Sequence, residues 1–373
     1  MKVRLLAVAA AALVFATPAH AGAPPVSARA YLVVNPATGE VLAQRRAWAR
    51  VPIASITKLM TVLVTLDHAK WNDVVRVRES AAEVGESTIN LHAGERITVG
   101  DLVKGALIQS ANDAADALAD YVGKGDEAAF IRMMNVKASE LGLARTHFAR
   151  PDGLDARAHY STALDVTRLA ETAMHDPRIR AVVRERTASI AGGRKLHTWN
   201  DLLGVFNGLY GVKTGHTSAA GWCEVAAVRR NGVVLYTTVL GSPTRSQRNT
   251  DLAALLRWGV SRYRQAWVVQ PHRVYVQASA GYGKGEVPLV AVRSAAGAVR
   301  IDRPLVERVV APATLTLPVA RGQHVGEVRV YSGKRLVARR ALVAQRSVAR
   351  PGFGGRVGFY VSRTFHHIGG WFS

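Results

Sequence analysis

The chain has 373 residues, and its 49 Lys and Arg against 27 Asp and Glu give a formal net charge of +22. This length suffices for two domains with hydrophobic cores, and the charge indicates an anionic partner such as nucleic acid, anionic lipid or an acidic polymer. The single cysteine, Cys223, excludes an internal disulfide and a zinc site built from cysteines. Because it lies in an apolar stretch, we expect Cys223 to be a core residue rather than a reactive one.

The N-terminus has the pattern of an export signal. Lys2 and Arg4 precede an apolar run over residues 5–15, and Ala19-His20-Ala21 is an A-x-A cleavage site. The run is too short to span a bilayer. We therefore expect a signal peptide over residues 1–21, cleavage after Ala21 and a periplasmic location, which argues against nucleic acid as a partner.

The chain after the signal is predicted to form a hairpin and then a buried helix. Two short apolar segments, residues 28–34 and 40–44, flank a turn at residues 35–39. Residues 59–66 are apolar almost all round, which is typical of a helix at the centre of a core.

The middle of the chain is expected to be mainly helical from about residue 99 to residue 175. Thr98 and Asp101 have the spacing of a capping box ahead of an apolar run, and Ser161 is a predicted helix cap. The predicted helices cover residues 99–108, 113–122, 126–141 and 161–175.

Strands return after residue 211. Residues 222–228 and 233–240 flank Asn231-Gly232, a strong hairpin signal, and residues 251–262 are predicted to form a closing helix. One antiparallel sheet is therefore expected from both ends of this region, with helices packed on it.

From residue 263 short Val-rich runs alternate with Gly, Pro and Arg, which predicts a small all-β domain over residues 263–350. Residues 263–373 hold 17 Lys and Arg against 4 Asp and Glu, a net charge of +13 and more than half of the total. The predicted strands are residues 272–277, 287–293, 315–319, 326–331 and 335–344.

The tail, residues 351–373, has the composition of a helix that lies on an anionic membrane surface. If it is helical, its large apolar side chains form one stripe, and Arg356, Arg363 and His366 lie off that stripe. Its glycines lower the helical propensity, so a disordered tail or one docked on its own protein is the alternative. The stripe consists of Phe353, Val357, Tyr360, Val361, Ile368, Trp371 and Phe372.

Ser55 and Lys58 are separated by nearly one helical turn, so their side chains share a face. A lysine at the mouth of an apolar helix is partly desolvated, which lowers its pKa and makes it a base for the neighbouring hydroxyl. Taken alone, the pair is better explained by an ordinary surface helix, because this pattern is common by chance. Two further motifs, Ser110-Ala111-Asn112 and Lys213-Thr214-Gly215, follow in the order that is typical of serine β-lactamases and penicillin-binding proteins.

With these motifs the chain resembles the low-molecular-mass penicillin-binding proteins, the D-alanyl-D-alanine carboxypeptidase family of S11-type serine peptidases. The resemblance covers residues 26–262 well, and the β domain and tail less specifically. It implies an α+β fold: a β-lactamase/transpeptidase-like domain, with an antiparallel sheet flanked by helices and a helical subdomain, followed by the small all-β domain. The similar blocks are residues 54–61, 110–115, 146–148, 153–155 and 211–217.

The resemblance implies cleavage of the terminal D-Ala from peptidoglycan stem pentapeptides, inhibition by β-lactam antibiotics and no need for a metal or cofactor. Ser55 is the implied nucleophile, Lys58 its base, and Ser110 a proton relay to the leaving amine. The implied substrate-binding residues are Asn112 for the substrate amide, Lys213 and Thr214 for the terminal carboxylate, Gly215 for close approach, His216 through its backbone N–H, and, less strongly, Arg248 for the same carboxylate.

Two implied roles are electrostatic. The backbone N–H groups of Ser55 and His216 would form the oxyanion hole. The charge of Lys213 would keep the pKa of Lys58 low.

The chain departs from the family pattern at two positions. Ala111 replaces a frequent glycine, and its methyl group is expected to fit if Ala111 has helical dihedrals. Asp152 stands where some relatives carry histidine, so the role of its loop in deacylation stays open. No general-base glutamate of the class A β-lactamase kind is assignable, so efficient β-lactam hydrolysis is not expected.

Other interpretations remain open at this point. Taken singly, Ser110 and Asn112 are also consistent with turn caps, Lys213 and Arg248 with solvated surface groups, and Gly215 with a strand bulge. The same acyl-serine chemistry also fits a DD-endopeptidase or a β-lactamase. An interpretation of another class is a weakly catalytic wall-binding or scaffold protein that acts through its basic β domain and tail.

Overall fold

The computed structural model describes residues 22–354 and Val357, which form two compact units that divide between Ser261 and Arg262. The predicted signal peptide and most of the predicted tail lie outside the described residues. Within the part of the chain that is described, no helix has the length and apolarity needed to cross a membrane.

The first unit is organised around an antiparallel sheet to which both of its ends contribute. Strands β2-β1-β9-β8-β7 form this sheet in that spatial order, so β7 lies at one edge, and β3/β4 and β5/β6 are separate two-stranded ribbons. The strands are β1 (Ala30–Asn35), β2 (Glu40–Arg45), β3 (Val74–Arg76), β4 (Arg96–Thr98), β5 (Thr187–Ile190), β6 (Arg194–His197), β7 (Leu209–Thr217), β8 (Gly221–Arg230) and β9 (Val233–Ser242).

Helices of the first unit surround the apolar helix α1, which packs against α4, α5 and α6. Leu59, Met60 and Val62 of α1 are fully buried, as its all-round apolar sequence predicts. The helices are α1 (Lys58–His68), α2 (Glu79–Ala82), α3 (Val99–Lys104), α4 (Asn112–Val122), α5 (Glu127–Glu140), α6 (Ala163–Ala173), α7 (Pro177–Val182) and α8 (Arg245–Ser261), with short 3₁₀ segments at Ala54–Thr57 and Ala191–Gly193.

The predicted α+β class, the first hairpin and the sheet built from both ends of the unit are confirmed. The turn between β8 and β9 places Asn231 and Gly232 at φ 52° and 74°, the conformation that an Asn-Gly hairpin favours. The Thr98 cap is also confirmed, because its side chain accepts a hydrogen bond of 3.1 Å from the Asp101 N–H.

Two helix predictions need correction. Ser161 does not cap α6: Thr162 does, by accepting a hydrogen bond from the Asp165 N–H, while the Ser161 hydroxyl bonds to Thr146. Residues 141–162 are not helical, so the middle region is only partly helical. Ser161 is instead engaged by a backbone bridge to Val51 and by the Thr146 hydroxyl, and the helix begins after Thr162.

The second unit is an all-β structure with its own apolar core, as predicted. Strands β11-β12-β16-β15-β14 form one sheet and β10 pairs with β13. Its strands are β10 (Tyr263–Val269), β11 (Val274–Ser279), β12 (Glu286–Ala291), β13 (Ala295–Arg300), β14 (Leu305–Val310), β15 (His324–Ser332) and β16 (Arg335–Ala344).

The strand predicted at residues 315–319 is wrong. Leu315, Leu317 and Val319 are buried, so the alternating pattern reports burial correctly, but only an isolated bridge joins Val319 to Val348. Pro318 has no N–H to donate to a ladder. The three strands β10, β13 and β14 were not predicted.

Candidate active site

Ser55 and Lys58 meet at the start of α1. Ser55 lies in the 3₁₀ segment Ala54–Thr57, and Lys58 is the first residue of α1, so one short turn brings the two side chains together. The Lys58 Nζ lies 2.8 Å from the Ser55 Oγ. The sequence spacing alone predicted this contact, because residues three apart face the same side of a helical turn.

Two carbonyl oxygens hold the Lys58 amine in place. Its Nζ donates to the side-chain oxygen of Asn112 at 2.7 Å and to the backbone oxygen of Asp152 at 2.6 Å. Lys58 is fully buried, and this burial lowers its pKa from 10.5 to about 8, against the opposing charges of Asp152 and Asp116. The expected direction of the shift is confirmed.

The sequence predicted two causes of that shift, desolvation and the charge of Lys213. Desolvation is confirmed as the main cause, whereas the charge of Lys213 is not among the causes of the lowered pKa of Lys58. Lys213 is itself fully enclosed, and burial, followed by the charge of Lys58, lowers the pKa of Lys213 well below its ordinary value. Loss of water around both amines is therefore the main electrostatic feature of the site.

Ser110 connects to Lys213. The segment Gly105–Gln109 is π-helical and ends at Ser110, which has left-handed dihedrals of φ 65° and ψ 28°. This turn directs the Ser110 Oγ to the Lys213 Nζ at 2.8 Å, and Lys213 also donates to the Thr214 backbone oxygen. Ala111 has extended rather than helical dihedrals, φ −66° and ψ 127°, yet it is buried without difficulty because L-residues adopt this conformation freely.

Asn112 is the first residue of α4, and both the oxygen and the nitrogen of its side-chain amide form hydrogen bonds. Its oxygen accepts from Lys58, and its Nδ2 donates to the Gly85 backbone oxygen at 3.0 Å. Asn112 therefore fixes the lysine in addition to lining the cleft.

Gly215 allows the edge strand β7 to touch the Ser55 turn. A Cβ at Gly215 would lie 2.9 Å from the Ser55 N and 3.0 Å from the Ile53 O, closer than side chains normally approach. The expected close approach at Gly215 is therefore an approach between two backbone segments. It places Thr214 and His216 of β7 beside Ser55.

A cleft of about 640 Å³, open to solvent, lies over these groups. Its lining includes Ser55, Ser110, Asn112, Thr214, Gly215 and His216. Lys58 and Lys213 lie beneath it, bonded to the two serines. All three motifs thus converge on one cleft.

Aromatic side chains that the sequence interpretation did not select form part of the wall. Trp199 and Trp222 line the cleft, and His216 stacks on Trp222 with ring centroids 4.1 Å apart. A prediction that pairs β7 with β8 as a hairpin would have indicated Trp222, because this residue directly opposes His216. Trp199 lies in a loop before β7, and no pattern in the sequence marks it.

Arg248 lines the cleft but is not a surface arginine. Only 1% of its side chain is exposed. Its Nη2 lies 3.0 Å from Asp201 and its Nε 3.1 Å from Glu224, a second buried residue that the sequence interpretation missed. The guanidinium is therefore held by two carboxylates behind the cleft.

The Asp152 loop contacts both Lys58 and the turn that carries Ser55. The Asp152 carboxylate is fully buried and pairs with Arg150 at 2.6 Å, while its backbone oxygen binds Lys58. Gly153 has φ +85°, and a Cβ there would overlap the Ala54 carbonyl oxygen. The loop thus packs directly on the turn that carries Ser55.

Comparison with known proteins agrees with this architecture. The sequence profile of a family described as D-alanyl-D-alanine carboxypeptidase matches residues 17–244. The D-alanyl-D-alanine carboxypeptidase DacC of Escherichia coli is 36% identical, covering 96% of this chain and 94% of the relative. DacF of Bacillus subtilis is 28% identical, covering 87% of each chain.

Solved structures of similar proteins share the fold. The DacD D-alanyl-D-alanine carboxypeptidase of Francisella tularensis superposes with a TM-score of 0.64 at 25% identity, covering 91% of this chain and 97% of its own. The Streptomyces K15 DD-transpeptidase gives 0.61 at 31% identity, covering 65% of this chain and 100% of its own. Penicillin-binding protein D2 of Listeria monocytogenes, solved with ampicillin bound, gives 0.58 at 31% identity, covering 63% and 98%.

The fold and the paired serine and lysine motifs define a serine peptidase of the penicillin-binding class. The chain belongs to the D-alanyl-D-alanine carboxypeptidase family, and its activity is serine-type D-alanyl-D-alanine carboxypeptidase activity.

Proposed function

We propose that this protein removes the terminal D-Ala from peptidoglycan stem pentapeptides through an acyl-enzyme on Ser55. One observation carries the assignment of roles. The nucleophile–base pair and the Ser110–Lys213 pair both have contacts of 2.8 Å and open on the same cleft.

The contacts of Lys58 support its role as the base. A neutral amine has two hydrogens and one lone pair. The oxygens of Asn112 and Asp152 accept hydrogen bonds and cannot donate them, so they take both hydrogens. The lone pair is then left for the Ser55 hydroxyl proton, which is the arrangement that general-base catalysis needs.

In the proposed acylation step, the Ser55 Oγ attacks the carbonyl carbon of the penultimate D-Ala while its proton moves to Lys58. The backbone N–H groups of Ser55 and His216 stabilise the oxyanion. The C–N bond then breaks, and the proton returns to the leaving amine by way of Ser110. Water hydrolyses the resulting ester, which releases the shortened peptide and restores Ser55.

The substrate is held by the remaining groups of the cleft. Asn112 contacts the substrate amide, and Lys213, Thr214 and Arg248 receive its terminal carboxylate. β-Lactams acylate the same serine because they imitate the D-Ala-D-Ala terminus. Support comes from the convergence of these groups and from the ampicillin-bound relative.

A fluorescent penicillin tests this proposal. The purified protein should become covalently labelled, Ser55→Ala should abolish the label, and Ser139→Ala, on the exposed side of α5, should keep it. Product analysis on a pentapeptide and on a cross-linked dimer separates carboxypeptidase from endopeptidase activity. An unlabelled wild-type protein, or a labelled Ser55→Ala variant, would refute the mechanism.

We further propose that residues 1–21 direct export and are removed. Residues 26–262 form the catalytic domain, and residues 263–350 form an accessory β domain. Residues 351–373 attach the mature protein peripherally to the outer face of the cytoplasmic membrane. The support is the A-x-A signal pattern, the amphipathic tail and the net charge of +13 over residues 263–373. Deleting residues 351–373 should release the protein from membrane fractions without loss of penicillin labelling. Unchanged pelleting would contradict the attachment.

A further inference from the structure

A buried glutamate lies behind the part of the cleft that receives the substrate carboxylate. Glu224 is on β8, where it directly opposes Thr214 of β7, and its side chain is fully buried. Its Oε2 lies 3.1 Å from the Nε of Arg248. Neither carboxylate oxygen accepts a hydrogen bond from any residue that the structure describes. Glu224 is therefore an ion-pair partner whose negative charge has little other stabilisation.

The contacts of Arg248 show which nitrogens of its guanidinium are already hydrogen-bonded. Its Nη2 donates to Asp201 at 3.0 Å and to Asn249 at 2.6 Å, and its Nε donates to Asn249 and faces Glu224. All of these contacts involve Nε or Nη2. Within residues 22–354, Nη1 has no hydrogen-bond or ion-pair partner. Because Arg248 also lines the cleft, Nη1 is the group available to a bound carboxylate.

We propose that Glu224 is a positioning residue that orients Arg248 and that, when ionised, competes with the terminal carboxylate of the substrate for the charge of Arg248. This inference rests on the proposed function, in which Arg248 receives that carboxylate. When Glu224 is ionised, it and Asp201 together neutralise the positive charge of Arg248. When Glu224 is protonated, part of the positive charge of Arg248 remains available to the substrate carboxylate.

The surroundings of Glu224 place this change near neutral pH. Burial raises the pKa of the Glu224 carboxyl from 4.5 to about 7, with the negative charge of Asp201 in the same direction and the positive charges of Arg248 and Lys213 opposing. These are the charged groups that act on it from α8, from the loop before β7 and from β7. Because a carboxylic acid is neutral below its pKa, the substrate carboxylate should bind more tightly below pH 7 than above it.

Binding linkage gives the size of the effect. If a bound carboxylate raises the pKa of Glu224 by about one unit, its affinity falls about tenfold between the acidic and the alkaline limit. Steady-state kinetics on a tripeptide ending in D-Ala-D-Ala, from pH 5.5 to 8.5, should show KM rising through about pH 7 in the wild type. In Glu224→Gln, which keeps the shape of the side chain and removes its charge, KM should stay low across this range with kcat unchanged.

Three further measurements separate positioning from a merely structural effect. Glu171→Gln removes a partly buried carboxyl on α6 whose pKa is also raised by burial, and it should leave the wild-type KM profile intact. In an Arg248→Leu background, Glu224→Gln should have no further effect on KM. For the wild type, inhibition by a peptide with a C-terminal carboxamide should not depend on Glu224, so its inhibition constant should not rise through pH 7.

Clear results would overturn the inference. A wild-type KM that does not vary across pH 7, or a Glu224→Gln variant that keeps the wild-type rise, refutes it. The carboxamide comparison needs no variant, so it decides the question even if Glu224→Gln fails to fold. Failure of the proposed function is a different result, namely absent penicillin labelling or absent D-Ala release by the wild type.

Discussion

The buried amine of Lys58 predicts how acylation should depend on pH. In the proposed mechanism only the neutral amine can accept the Ser55 proton, so acylation should require Lys58 to be deprotonated. Its pKa of about 8, instead of the ordinary 10.5, makes the neutral fraction at pH 7 about 300 times larger. Even so, only about one molecule in ten has a neutral Lys58 at pH 7.

Raising the pH from 7 to 9.5 should therefore increase the limiting acylation rate about tenfold, with a midpoint near pH 8. Single-turnover labelling with a saturating fluorescent penicillin measures this rate, and saturation keeps the effect of Glu224 on affinity out of the result. Lys58→Arg is the comparison, since arginine keeps the charge but stays protonated, and its rate should be low and flat with pH.

A midpoint near pH 10 would mean that Lys58 is not desolvated in the working enzyme. A wild-type rate that does not change between pH 7 and 9.5 would mean that Lys58 is not the base. Either outcome refutes the reasoning from burial.

Three other perturbations test neighbouring features. Asp152→Asn removes a negative charge that raises the pKa of Lys58, so the acylation midpoint should move to lower pH, and a move to higher pH would contradict the electrostatic account. Gly153→Ala should lower the melting temperature more than Gly94→Ala does. Both glycines have positive φ, which costs an alanine about 1–2 kcal/mol. Of the two, only Gly153 leaves no space for a Cβ. The Cys223 thiol, buried with its pKa raised to about 11, should react with a thiol reagent only on unfolding, and rapid labelling of the native protein would disprove its core position.

Local sequence patterns predicted much of the fold because they depend on neighbouring residues alone. The Asn231-Gly232 turn, the Thr98 cap and the burial of α1 each follow from a few adjacent side chains. Residues 315–319 show the limit of such patterns. Alternating burial is visible in the sequence, but whether a partner strand is in reach depends on the path of distant segments.

The candidate site divides in the same way. The spacing of Ser55 and Lys58 determined their contact, because residues three apart lie on the same side of both an α-helical and a 3₁₀ turn. The order of the three motifs indicated the class of chemistry. By itself, the sequence therefore predicted which residue types carry the proposed reaction and which pair makes the proposed first proton transfer.

The apolar run after Lys58 predicted only that its amine is partly desolvated, and tertiary structure decided the rest of the electrostatics of the site. Desolvation of Lys58 and Lys213, the carbonyl contacts that orient Lys58, and the pairing of Arg248 with Glu224 all join residues far apart in the chain. A pKa depends on the water excluded and the charges enclosed around a group, and these are properties of the packed molecule rather than of any local stretch. For that reason the sequence identified Ser55 and Lys58 as candidates, and only the fold shows the full burial that suits the lysine to the proposed role of base.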